Sequence, residues 1–170
     1  MFVFGTSDDV FVMAIRIIEN GRALYAGAAE GTQDPVLKKL FQDLAELEDG
    51  HLTLVKYLRV EYADALPEGE VWDPEGLAAG YLGAAADTHV FTHEAAKDRM
   101  RQVKTAPEAL EMAIQFEKDT VHFFLAMKEM LPDRNGKDKL DALIIDEMDR
   151  IRKFVVARKT CKPTTCEIPC

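Results

Sequence analysis

Leu44-Ala-Glu-Leu-Glu48-Asp-Gly-His51, together with Leu143-Ile-Ile-Asp-Glu147-Met-Asp-Arg150, decides how this chain is read. Both segments lie in long stretches whose apolar residues recur every three or four positions, the period of a helix with one buried face. Glu48 and His51 are three apart, so on a helix they share a face and both can reach one metal ion. The second segment opens on the same glutamate but ends on arginine. The two are 147 − 48 = 99 residues apart, and that offset extends in both directions without a gap. Met13-Ala14-Ile15 falls on Met112-Ala113-Ile114, Tyr25 on Phe124, Glu30 on Glu129, Asp34 on Asp133, Lys38 on Lys137 and Arg59 on Arg158.

Working outward, the pattern predicts four long helices and no strands. The first spans about Ser7 to Glu30 and is closed by Gly31. Asp34-Pro35 reads as an N-cap and first-turn proline, opening a second helix to about Tyr62 with the apolar stripe Leu37, Leu40, Phe41, Leu44, Leu47, Leu54, Val55 and Leu58. Pro67, Gly69 and Pro74 then break the chain, and Leu77 to Arg101 reads as one or two short helices in a long connection. Thr105-Ala-Pro-Glu108 is a capping box that opens the third helix, to about Leu131. The fourth runs from about Lys137 to Arg158. Two short-looped helix pairs joined by a crossover of roughly 40 residues define a four-helix bundle with one long connection. The expected organisation is a bundle domain over 1–158 and a cysteine-containing tail over 159–170.

Composition agrees with a globular domain. The chain has 170 residues, 48% hydrophobic and 30% charged, with a net charge of −9. That charge argues against nucleic acid or an anionic membrane as partner, both of which need basic faces. No apolar run reaches the roughly 18 residues of a membrane span, and a cytosolic protein is expected. A homodimer is the expected assembly.

On the third helix Glu117 lies in the inward stripe with Ile114, Val121 and Phe124, where an unpaired carboxylate is costly. Its image at the 99-residue offset is Ile18, and the image of His51 is Arg150. A two-fold site would place a glutamate on helices one and three and Glu-x-x-His on helices two and four, the di-iron carboxylate arrangement of ferritin-like bundles. Four of those six residues are present: Glu48, His51, Glu117 and Glu147.

These residues resemble the rubrerythrin-like branch of the ferritin-like superfamily over nearly the whole chain to about residue 156. The carrying residues are Ala14-Ile15 to Asn20-Gly21, Tyr25, Leu44-Ala45 to Glu48-x-x-His51, Tyr81-Leu82, Ala86-Asp87-Thr88 and Val90-Phe91. Ala113-Ile114 to Glu117-Lys118-Asp119, Phe124, Glu147-Met148 and Ile151-Arg152 complete the likeness. The resemblance implies a di-iron centre handling oxygen or peroxide, with ligands at positions 18 and 150, where this chain has Ile18 and Arg150. Neighbouring Glu19 does not substitute, because one residue along a helix turns the side chain by about 100°. The rubredoxin-type electron donor of that group needs Cys-x-x-Cys pairs, which this chain lacks.

The altered site carries −3 from Glu48, Glu117 and Glu147 and +1 from Arg150, a sum of −2 that one divalent ion balances. The expectation is one metal on Glu48, His51 and Glu147, with Arg150 in the second metal's place paired to Glu117. Iron, manganese and zinc all suit these ligands. The alternative is a metal-free buried polar network in a non-catalytic paralogue that acts as a structural or interaction partner. Whether the chain is an enzyme is left open by Ile18 and Arg150, although Tyr25 sits where the resembled family keeps a tyrosine near its metals. Lesser candidates read more simply as structure. His89, His93 and Glu94 could hold a surface metal but fit exposed crossover residues better. Asp119-x-x-His122 points away from the Glu117 face, and Met112, Met127, Met130 and Met148 suit core packing. Cys161, Cys166 and Cys170 read as reactive thiols on an irregular end, with metal binding or redox or intermolecular disulfides as the alternatives, the sharper one a symmetric dimer that pools its tails.

Overall fold

The computed structural model of the chain describes residues 7–65, 75–77, 80, 81, 84, 93–130, 137–162 and 166. Five helices are described: α1 (Ser7–Gly31), α2 (Pro35–Ala65), α3 (His93–Gln102), α4 (Ala106–Met130) and α5 (Lys137–Thr160). No strand occurs among the described residues. The four long helices are those the periodicity predicts, with α2 running three residues past Tyr62 and α5 two past Arg158. The internal offset fixes helix limits as well as residues, since 106 − 7 = 99 and 130 − 31 = 99 for α4 against α1.

Local chemistry sets the starts. Asp34 Oδ1 accepts from the backbone N–H groups of Val36 at 2.8 Å and Leu37 at 3.3 Å, the N-cap role that a short carboxylate fills before proline. At α4 the capping box is closed both ways. Glu108 Oε2 accepts from Thr105 N at 3.1 Å, and Glu108 N donates to Thr105 Oγ1 at 3.4 Å.

The three-residue link after Gly31 folds α2 back along α1, and α5 packs along α4. α4 joins the pairs by lying against α1 and α2, and α3 covers α1 with Met100 buried. The core divides into two apolar clusters. One contains Val10, Ile17, Val55, Leu58, Phe124, Met127 and Leu140; the other contains Leu24, Leu40, Leu44, Leu110, Ile114 and Phe154. On every long helix the residues between these clusters face one middle layer, and there α2, α4 and α5 place their buried charges.

Two expectations about apolar residues are corrected. Leu47 is 37% exposed and Met148 57% exposed, because each is adjacent in sequence to a glutamate that takes the inward direction. Met127 is core as expected, Met112 is half-buried, and the side chain of Met130 lies outside the described residues.

Candidate metal centre

Glu48 and His51 on α2, Glu117 on α4, and Glu147 and Arg150 on α5 are all buried. On α5 the inward stripe is Leu140, Leu143, Ile144, Glu147, Arg150, Phe154 and Ala157, so the two charged residues lie on the same line as the leucines. Ile18, fully buried, supplies hydrocarbon from α1 where the repeat would call for a carboxylate.

Arg150 holds the middle of the layer. Its Nη1 lies 3.8 Å from Glu48 Oε1, 3.6 Å from Glu117 Oε1 and 3.7 Å from Glu147 Oε2. The expected one-to-one fork with Glu117 is therefore not what forms; the guanidinium faces three carboxylates at once. Its Nη2 is in close contact with His51 Nε2 and 3.4 Å from Asp146 Oδ2. The residues related by the 99-residue offset, His51 and Arg150, thus meet face to face.

His51 Nδ1 lies 2.7 Å from Glu147 Oε1 and 4.0 Å from Glu48 Oε2, while its Nε2 is 3.4 Å from Asp146 Oδ2. Arg150 can only donate, so these contacts fit an imidazole whose Nε2 accepts from Arg150 Nη2 and whose Nδ1–H faces Glu147 Oε1. Asp146 was not legible in the sequence. It neighbours Glu147, so it points off the inward stripe, and its largely exposed side chain reaches across from α5 to His51 on α2.

The electrostatics follow from burial. Burial first, and then Glu117, push the Glu48 pKa up to about 8. Burial likewise raises Glu147 to about 7, and burial with the adjacent Glu147 holds Glu117 well above the carboxylate range. His51 is lowered, by burial and then by Arg150. Burial works against the charge of Arg150, but Glu147, Glu117 and Glu48 outweigh it and the guanidinium pKa rises. Five carboxylate oxygens, Glu48 Oε1 and both of Glu117 and Glu147, are buried with no hydrogen-bond partner among the described residues. Such oxygens need a cation or a proton.

Among the described residues no three His, Cys, Asp or Glu side chains already surround one point as a metal shell does, because the guanidinium stands between them. Carboxylates and imidazole are donor types that a divalent ion takes, and Glu48, His51 and Glu147 are the residues that would hold one. α1 offers Ile18, and α5 offers the cation Arg150, at the two positions where the repeat would place further donors.

Tyr25 lies beside this layer, buried, with its hydroxyl unpartnered among the described residues. Burial, then Glu117 and Glu48, raise its pKa well above the phenol range, so it remains an O–H donor. Other candidates fall away from the layer. His122 is exposed, and half-buried Asp119 accepts from Gln115 Nε2 at 3.1 Å. His89 and the side chains of His93 and Glu94 lie outside the described residues, as does Cys170. Cys161 and Cys166 form a disulfide, so the reading of these two as free thiols is corrected. Cys161 N donates to Ala157 O at 2.8 Å, one more helical hydrogen bond at the end of α5, and Cys161 and Cys166 both pack against the apolar cluster there.

An all-helical bundle of two antiparallel pairs around buried carboxylates is the ferritin-like class of fold. A solved structure agrees: the crystal structure of a protein from Thermotoga maritima, assigned as a ferritin-like diiron-carboxylate protein, is similar to this chain with a TM-score of 0.58 and 20% identity, covering 94% of this chain and 99% of that one. No protein-family model matches the chain, and no curated protein matches it. The likeness establishes the ferritin-like fold. No described helix is long and apolar enough to cross a membrane.

Proposed function

We propose that this chain is a metal-binding ferritin-like protein whose two-metal site has been reduced to one divalent ion, held by Glu48, His51 and Glu147, with Arg150 in place of the second. The observation that carries this reading is the cluster of three buried glutamates around His51, five of whose carboxylate oxygens make no hydrogen bond among the described residues and have only Arg150 and His51 as ionic neighbours. Asp146 lies beside the imidazole Nε2, and Arg150 supplies the charge that keeps Glu117 tolerable in the core. To admit the ion, the guanidinium gives up its central position and retreats toward Glu117. Iron is the favoured ion, on the diiron-carboxylate assignment of the structural neighbour and on the rubrerythrin-like motif, although manganese and zinc suit the same donors. Bound there, the metal supplies a Lewis-acidic and, for iron, redox-capable centre. With its partner ion replaced by Arg150, iron holding is the proposed role rather than rapid peroxide or oxygen turnover.

A second reading rests on Arg150 itself. Facing three glutamates at 3.6, 3.7 and 3.8 Å, it can serve as the resident cation of a metal-free core, which makes the chain a structural or interaction partner. Elemental analysis after anaerobic loading with Fe(II), Mn(II) or Zn(II) separates the two. One ion per chain, lost in Glu48→Gln and in His51→Ala, is the expected result. Two tightly held ions overturn the single-ion reading, and no bound ion in the intact fold establishes the second. Ile18→Glu combined with Arg150→His rebuilds the missing donors and is expected to raise the stoichiometry to two.

A further inference from the structure

Helix α5 carries apolar residues on two opposite sides. Its inward stripe runs from Leu140 to Ala157. Facing the other way are Ile145, 65% exposed, Val156, 42% exposed, and the exposed Met148 between them. The outer side of a bundle helix is ordinarily polar, and exposed apolar side chains that neighbour one another along a helix mark a contact surface. The same outward line repeats by sevens through Asp138, Ile145, Arg152 and Lys159, the spacing with which one helix lies along another. On α4, Lys128 reaches Asp141 at 2.6 Å. Because α4 and α5 are antiparallel, one turn back from Lys128 and one turn on from Asp141 sets the exposed Leu125 beside Ile145, which widens the apolar patch.

Charge on this line changes sign from one end to the other. Asp138 stands at its start, and Arg152, Lys159 and, just past the helix, Lys162 stand toward its end, all four exposed. A second copy laid parallel would set acid on acid and base on base. A copy turned by a two-fold rotation, with the axis at mid-helix beside Arg150 and Ile151, sets each half on its opposite. Ile145 then meets the partner's Val156, Asp149 meets the partner's Arg152, and Asp138 comes within reach of the partner's Lys159 and Lys162. Arg152 already pairs with Asp149 of its own chain at 2.8 Å, so at the axis the two pairs join into one four-charge cluster. Opposed helix dipoles favour the same orientation. A surface complementary to itself under a two-fold rotation is what an isologous dimer requires.

From this we infer that the outward face of α5 is the contact surface of a two-fold dimer of this chain, its two α5 helices antiparallel. This surface rests on the expected homodimer and does not depend on whether the carboxylate layer, on the other side of α5, holds a metal.

The test is sedimentation equilibrium of the full chain in EDTA over a dilution series. Association to a dimer is expected. Ile145→Glu and Val156→Glu, each placing a charge in the apolar contact, are expected to weaken it by about tenfold or more. Val12→Glu, at an exposed position on α1, leaves it unchanged. Asp138→Lys and Lys159→Glu are each expected to weaken association several-fold, and the two combined in one chain to restore it. All four changes on α5 are at exposed positions, and circular dichroism confirms that each variant is folded. A chain that stays monomeric overturns both the homodimer and this surface. A dimer indifferent to both Ile145→Glu and Val156→Glu leaves the homodimer standing and overturns the surface, and a combined charge swap that restores nothing overturns the antiparallel pairing.

Discussion

Arg150 is the residue on which the chemistry of this chain turns. Removing it leaves three buried carboxylates with no cation, a loss that typically costs about 3–5 kcal/mol where the remaining charges cannot be relieved. They can be relieved here by protons, so the cost depends on pH. Arg150→Met is expected to lower the thermal midpoint of the metal-free protein strongly at pH 8 and much less at pH 5, as followed by circular dichroism. The unmutated metal-free protein carries the same dependence in weaker form. Glu48, raised to about 8, and Glu147, raised to about 7, keep protons in the folded state that the unfolded chain releases near its ordinary carboxylate value. The folded state therefore binds more protons, and the stability these groups contribute, full at low pH, is lost as pH rises through 7 and 8. His51 has the opposite sign, because its lowered pKa costs stability as pH falls below the ordinary imidazole value. Between about pH 6.5 and 8 the two carboxylates outweigh the fading histidine effect, and melts in EDTA should show the midpoint falling across that window. A bound divalent ion reverses the trend, since it competes with protons for the same oxygens. A midpoint that rises from pH 6.5 to 8 in EDTA would contradict the buried-carboxylate account.

At the scale of the helices, glycine supplies a contrast between positions that look alike in sequence. Gly27 and Gly50 are exposed inside α1 and α2, and a Cβ at either meets nothing within 4 Å. Alanine at each should stabilise the fold by up to about 1 kcal/mol, the helix-propensity difference. Gly21 sits in the same helix as Gly27, but its added methyl would strike the Phe116 ring. Gly21→Ala should therefore gain nothing or lose about 1 kcal/mol, because overpacking offsets the propensity gain. Urea denaturation of the three variants checks this ranking. The N-cap gives an independent measure: Asp34→Ala should cost about 1 kcal/mol, since the backbone donors of Val36 and Leu37 lose their acceptor.

For the whole molecule, the two-fold logic of the sequence has become a bundle with two apolar ends and a charged waist. A homodimer remains the proposed assembly, and light scattering on the purified chain is expected to return twice the 19.1 kDa of one chain. The sequence by itself determined the four long helices, the N-terminal caps of α2 and α4, the 99-residue offset, and which five ionisable side chains turn inward. Helical periodicity fixes the direction of a side chain around its own axis, and Glu48, His51, Glu117, Glu147 and Arg150 all lie on apolar stripes. Only the tertiary structure decided who meets whom across helices. Arg150 faces three glutamates instead of forking onto Glu117, Asp146 reaches His51 from off the stripe, Phe116 lies on Gly21, and Cys161 pairs with Cys166. Those contacts depend on the separation and rotation of neighbouring helices and on side-chain rotamers, which the period of a single helix does not encode.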